Sequence, residues 1–377
     1  MARKDVSVFC AVGDVVVDRA DPPSIFELVR PIISAADVAF ANCESNYSEV
    51  GERNPATRGE VRARPENLDA FTSAGFNVVT FANNHHMDSG YGAFFETLRQ
   101  LEARSIKVCG AGKDLEQARR PAIMDCGEAK VAFLGYSSIL LPGYAAAAGR
   151  PGAVPIRVRT HYEQVEIEQP GTAPDIKTYP FKEDLEALCD DVRKAREAAD
   201  IVVVTPHWGI HFAPAAIADY ETEVAHAAID AGADIVLGHH QHILKPVQVY
   251  KGKVIFHGMG NFAMDVTHQV SATSPALLEM MARYPEYTFG HRPETPTYPF
   301  HPEARQTIIV RCEVQDRRIS RVSFHPCYIN SGSQPEPLKN GSPLFDKLAT
   351  YMADMSRKAG FDTRFQTEGD EVVILTS

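Results

Sequence analysis

The segment His239-His240-Gln241-His242 holds three imidazoles within four positions, just after the apolar run Ile235-Val236-Leu237 and a glycine. A neutral imidazole nitrogen is a good ligand for Zn, Fe and Ni and, beside carboxylates, for Mn. Alternating residues such as His240 and His242 can offer nitrogens to two neighbouring ions. Further groups of metal-ligand type stand in similar places: Asp14 after Gly13, Glu44 in Asn42-Cys43-Glu44, the run Asn83-Asn84-His85-His86-Met87-Asp88, and His207 in His207-Trp208-Gly209. Each alone has an ordinary structural explanation. Asp14 could cap a turn, Asn84 could hold a left-handed backbone, and His207 could be a satisfied core histidine. Together they point to one shared site with a mixed nitrogen and oxygen donor set. Two divalent ions a few ångströms apart lower the pKa of a shared water and clamp the attacked centre, and such a pair needs a bridging carboxylate.

The elements that must position these residues are legible as apolar runs. Val6 to Val12, Val38 to Ala41, Val78 to Ala82, Ile201 to Pro206 and Ile235 to Leu237 have strand length and β-branched composition, and each ends at one of the polar groups. The carboxyl ends of strands are where open α/β sheets place their chemistry. Between them, Ser24 to Ile33, Pro65 to Ala74, Phe94 to Ala103, Phe181 to Ala198 and Ala218 to Ala231 repeat apolar residues at intervals of three and four. Alternating strand and helix predicts an α/β fold, a layered sheet with helices outside. A further strand-rich set, Gly127 to Leu134, Val247 to Phe256, Gln306 to Glu313 and Ile319 to His325, is expected to form the other sheet by hairpins. The chain reads as a single elaborated domain over 1–377, with its core in 6–265 and 306–325. Insertions fall at 141–179 and 267–302, and a helix-strand appendage at 343–377.

The order Gly-Asp, Asn-x-Glu, Ala-Asn-Asn-His-x-x-Asp-x-Gly, His-Trp-Gly, Gly-His-His-x-His and Gly-Asn-Phe resembles the CapA family of poly-γ-glutamate capsule proteins, within the calcineurin-like metallophosphoesterase superfamily. The resemblance runs from Val6 to Asp265 and leaves the tail uncovered. It implies a four-layer α/β/β/α sandwich of metallophosphoesterase type and two divalent metal ions, Mn, Zn or Fe. Carried over residue by residue, it implies that Asp14 binds the first metal and that Glu44 bridges both, in place of the more usual aspartate. Asn84, His207 and His240 would hold the second metal, and His242 would return to the first. His85 stands where the superfamily keeps a general acid behind the ligands, and Asp88 would fix that loop or orient an imidazole. This chain also departs from the pattern. The superfamily's Asp-x-His has Val16 at its third position, so the first metal lacks one nitrogen. His211 stands where family members often carry Glu, and His257 opens the segment that ends in Gly260-Asn261-Phe262. Both either replace lost ligands or recognise substrate, and substrate contact is the expectation for His211.

Arg58, Arg62 and Arg64 form a cluster that could bind a substrate carboxylate or phosphate, although a surface salt-bridge face explains them equally well. The 377 residues carry 44% hydrophobic and 23% charged residues, ordinary for a globular protein, and the net charge of -11 argues against a nucleic-acid partner. Seven scattered cysteines without a C-x-x-C read as thiols of a reducing compartment. Met1 to Asp5 leads straight into the first strand, so the expectation is a soluble cytoplasmic protein without a membrane anchor, its partners a small-molecule substrate and another copy in a homo-oligomer. The expected function is a dinuclear metal-dependent hydrolase in which metal-bound hydroxide attacks a phosphoester, or an amide, ester or lactone bond. Its substrate would be small and carboxylate-bearing, such as a γ-glutamyl compound. The alternative is a non-catalytic component of capsule polymer synthesis that keeps the metal site as a structural staple.

Overall fold

The strand Ser7–Val16 divides its side chains between two apolar layers, Phe9 and Ala11 on one side and Cys10 and Val12 on the other, as a pleated strand must. The computed structural model describes residues 6–57, 59–266 and 293–376. Ser7–Val16 is central in a large sheet. Val38–Cys43, Val78–Thr80 and Lys107–Cys109 follow it in parallel on one side, and Gln306–Gln315, Arg318–Ile329, Glu371–Leu375 and Arg364–Glu368 follow antiparallel on the other. A second sheet runs in the order Val247–Tyr250, Lys253–Phe256, Ile235–Leu237, Ile201–His207, Ala129–Ser137, Ala122–Cys126, parallel through its middle.

The two sheets share an apolar interior. Phe9 and Phe40 from the first meet Phe133 from the second, with the rings of Phe40 and Phe133 stacked at 5.2 Å. On the outer face of the first sheet, Ala39 and Val79 pack with Phe71, Phe94 and Leu101 of the helices Asp69–Ala74 and Gly90–Ala103. On the outer face of the second, Val202 and Val204 pack with Leu188, Val192, Val224 and Ala228 of Lys182–Ala198 and Asp219–Ala231. The layers are therefore helix, sheet, sheet, helix. The helix Pro343–Lys358 sends Phe345, Leu348 and Met352 into the interior between the sheets.

One expectation is corrected. The hairpin of Gln306–Gln315 and Arg318–Ile329 forms, but it joins Ser7–Val16 in the first sheet rather than the second. A hairpin is a local event read from its turn and alternation. The sheet it joins is decided by a pairing across some 300 residues of chain, which alternation does not encode.

Both sets of parallel strands open their carboxyl ends at the same edge of the sandwich, where a backbone bridge joins His207 to His239. Irregularities re-aim the exit of Ser7–Val16: its pairing shifts register between Ala11 and Asp14 against Val38–Cys43, and between Asp14 and Val15 against Asn261–Met264. Gly13 is required there because a Cβ would lie 1.9 Å from the carbonyl oxygen of Gly260. Among the described residues no helix is long and apolar enough to cross a membrane.

Candidate metal centre

Asp14 ends the straight part of its strand, Glu44 follows Val38–Cys43 and His207 is the last residue of Ile201–His207, while Asn84, His240 and His242 stand on loops after strands. These loops bring two donor groups together. Glu44, His207 and His240 form one, and Asp14, Glu44 and His242 the other, with Glu44 common to both. The ligand atoms within each group lie within 4.8 Å of one another. His207 Nε2 is 2.6 Å from Asn84 Oδ1, 3.1 Å from His240 Nδ1 and 3.5 Å from Glu44 Oε1. His242 Nδ1 is 3.5 Å from Asp14 Oδ2. His240 and His242 hold positive φ angles of 98° and 57°, a strained backbone for residues with a Cβ, and one that turns both rings toward the carboxylates.

The electrostatics of this cluster fit a cation. Both carboxylate oxygens of Glu44 are buried without a hydrogen-bond partner, a costly arrangement for a charged group that has no counter-ion. Burial, together with the charges of Asp14 and Asp88, pushes the Glu44 carboxyl well above its ordinary range. Burial would raise Asp14 too, but the hydrogen bond with His242 works against it, and the group lies below the usual carboxylate range. Burial drives His207 and His240 well below the ordinary imidazole value, so both are neutral and carry a free lone pair, as metal ligation requires. Where the resemblance leads one to look for a further nitrogen, Val16 is fully buried among Phe212, Met264, Tyr298 and Phe300.

His85 sits beside this cluster, and its Nδ1 is 2.6 Å from Asp88 Oδ2. Asp88 also accepts from the Val61 N–H at 3.0 Å and from the Tyr144 hydroxyl at 3.0 Å, so its carboxylate is fixed from three sides. Asp88 thus orients the His85 ring through Nδ1. His86, the next residue, is turned away: its nitrogens face the carbonyls of Asn83 at 2.6 Å and Tyr144 at 3.0 Å.

The other expected residues divide. The ring of His211 lies 4.0 Å from His240 and 5.2 Å from His242 between centroids, with its Nε2 buried and unpartnered. His257, expected at the substrate, is instead fully buried and stacked on Trp208 and Phe361, with Nε2 3.4 Å from Gln248. Its strand leaves on the same side as the cluster, but its ring packs into the wall behind Trp208. Arg62 pairs with Glu60 and donates to the Gly51 carbonyl, and Arg64 is exposed before the turn Pro65–Leu68. Arg58 lies outside the described residues, as does most of the second insertion.

Four residues that were not singled out for roles belong to the site. Asn42 Nδ2 donates to Asp14 Oδ1 at 2.8 Å and lies 3.3 Å from His207 Nδ1. Asn261 Oδ1 is 2.8 Å from His242 Nδ1, and its Nδ2 donates to the Tyr298 hydroxyl at 2.8 Å. His239 is fully buried, with neither nitrogen hydrogen-bonded and Nδ1 3.9 Å from Asp14. Asn42 and Asn261 stand inside two of the motifs that carry the resemblance, Asn-x-Glu and Gly-Asn-Phe, and those motifs were the available signal. Tyr298 had none.

A family model described as bacterial capsule synthesis protein PGA_cap matches residues 8–266. The PGA biosynthesis protein CapA of Bacillus subtilis is 30% identical over 271 residues, 69% of this chain and 64% of that one. The capsule biosynthesis protein CapA of Bacillus anthracis is 27% identical over 257 residues, 66% of this chain and 56% of that one. A probable polyglutamine synthesis accessory protein of Mycobacterium tuberculosis is 32% identical over 239 residues, 62% and 57% of the two chains. The chain thus spans between 56% and 64% of the length of these relatives. The calcineurin-like phosphoesterase YfkN of Bacillus subtilis superposes over 94% of this chain and 97% of that one with a TM-score of 0.40 at 11% identity, too distant to carry an assignment.

Proposed function

The chain belongs to the PGA_cap family of bacterial capsule synthesis proteins, and from that premise we propose that it is a metal-dependent hydrolase with a dinuclear centre. The observation that carries the reading is Glu44, a buried carboxylate with two unpartnered oxygens shared by two groups of imidazole and carboxylate donors. Asp14, Glu44 and His242 would hold one ion, and Glu44, Asn84, His207 and His240 the other. Divalent ions bound there supply an activated water at neutral pH and stabilise charge developing at the attacked centre. His85, oriented by Asp88, would stabilise charge developing on the leaving group or, as its imidazolium, protonate it from Nε2. Asn42 and Asn261 hold Asp14 and His242 in place, and His211 offers its unused Nε2 to the substrate.

The bond cleaved is a phosphoester, or an amide or ester of a small carboxylate-bearing compound. The resemblance to poly-γ-glutamate capsule proteins favours γ-glutamyl compounds, and one relative is named a PGA biosynthesis protein. The test is turnover of p-nitrophenyl phosphate, γ-glutamyl amides and lactones by metal-loaded protein. His85→Ala should retain its metal and lose roughly 10²–10⁴ in turnover on the substrate that is cleaved. A variant that loses its metal instead would make His85 a ligand. The relatives' names also support a second reading, an accessory of polymer synthesis whose metal is structural. It predicts no turnover on the panel and a single ion per chain.

A further inference from the structure

Among the described residues the strands Val158–Glu163 and Asp175–Pro180 pair only with each other, as a hairpin standing apart from both large sheets. Its second strand is anchored: the Thr178 N–H donates to Asp219 and the Thr178 hydroxyl accepts from the Tyr220 N–H, at the start of Asp219–Ala231. Among the described residues its first strand has no neighbour on its outer side, and every residue from Arg159 to Glu163 is exposed. Five of the ten exposed large hydrophobic side chains among the described residues gather here: Tyr162, Val165, Ile167, Ile176 and Tyr179. Tyr162 and Ile176 are cross-strand partners, 65% and 60% exposed, on one face. An isolated two-stranded ribbon is marginal in water, and an open edge bearing apolar side chains is a template for another strand.

The backbone parity selects which groups that edge offers. The Phe181 N–H donates to the Arg157 carbonyl and the Thr178 N–H points away to Asp219, so odd-numbered residues of the first strand bond inward. Val158, Thr160 and Tyr162 therefore aim their N–H and C=O groups outward. We propose that this edge pairs antiparallel with the same edge of a second copy of the chain, about a two-fold axis at His161, to give a continuous four-stranded sheet. In that register Thr160 of one copy faces Tyr162 of the other, so outward groups meet outward groups. Arg159 then lies opposite Glu163 twice, at positions where the strands hold no mutual hydrogen bonds and side chains approach most closely. Arg159 is held over the Phe181 ring at 4.4 Å, while Arg157, its rival for Glu163, is tied to Asp184. An isologous contact of this kind closes on itself and stops at the dimer.

Sedimentation velocity of the full chain over a concentration series tests it. The wild type should form a dimer. Thr160→Pro removes an outward donor without touching the hairpin's own ladder and should give monomer. Arg159→Glu and Glu163→Arg should each weaken the dimer roughly tenfold or more, because two attractive pairs become repulsive, and the combined exchange should restore it. Far-UV circular dichroism checks that each variant is folded. Should Thr160→Pro fail to fold, the charge exchange decides alone. A wild type that stays monomeric at the highest soluble concentration overturns the proposal, and so does a dimer indifferent to both charge changes.

Discussion

At His211 an imidazole with a buried, unpartnered nitrogen stands against two proposed ligands. Burial, with His242 and His85 adding to it, lowers its pKa to about 3, so it offers a neutral N–H or lone pair and no charge. His211→Ala is expected to leave metal content intact and raise KM with little change in kcat, the pattern of a lost binding contact. Metal analysis beside steady-state kinetics checks this, and loss of one ion would make His211 a ligand in place of the nitrogen absent at Val16. At this scale the sequence was most informative about residues at strand exits. Asp14, Glu44, His207, His240 and His242 meet because a strand's end fixes where the next polar side chain goes. It was silent on facing: His257 also follows a strand, yet its ring turns to Trp208 and Phe361, a choice made by packing. Tyr298 reaches Asn261 across 37 residues, and no local pattern announces such a contact.

Among the elements, the loop from Gly238 to Lys245 does most of the positioning. It carries three histidines on one side and, on the other, Gln241, whose Nε2 donates to the His257 carbonyl at 2.8 Å. Lys245, buried behind it, donates to the carbonyls of Ala213 and Ala216 and so ties the His211 loop to the same wall. His257 belongs to this wall, and burial, with the Lys245 and His226 charges, lowers its pKa to about 3. The folded pKa thus lies below the unfolded value near 6.5, so its contribution to stability is complete above that value and is lost as pH falls toward the folded one. At about pH 5 the loss from His257 alone amounts to about 2 kcal/mol. His257→Phe keeps the stacking and removes the titration, so urea melts at pH 7 and pH 5 should show a smaller stability difference than in the wild type. An unchanged difference would mean that the ring is not desolvated. Element boundaries were legible where periodicity was long, as in Lys182–Ala198 and Asp219–Ala231. Ser24 to Ile33 broke instead into the short helical turns Pro22–Phe26 and Arg30–Ile33, with Pro31 near the start of the second. The hairpin of Val158–Glu163 and Asp175–Pro180 had only the alternation of Val158, Thr160 and Tyr162 to announce it, a weak signal in a Pro- and Gly-rich segment without the apolar run that burial imposes.

For the whole molecule, the consequence is that the proposed centre joins the two halves of the sandwich. Asp14, Glu44 and Asn84 come from the first sheet's strand exits, and His207, His240 and His242 from the second's. Ions bound between them would link the sheets where, among the described residues, no regular strand pairing does, and the binding free energy would add to folding. Glu44 is the keystone of that account because only it serves both donor groups, and its charge offsets repulsion between two cations. The most direct test is the number of divalent ions per chain, measured by native mass spectrometry and elemental analysis after reconstitution with Mn, Zn or Fe. Two ions in the wild type and a marked loss in Glu44→Gln are predicted. A wild type that binds one ion or none under saturating metal, or a Glu44→Gln variant that still binds two, would contradict the dinuclear centre.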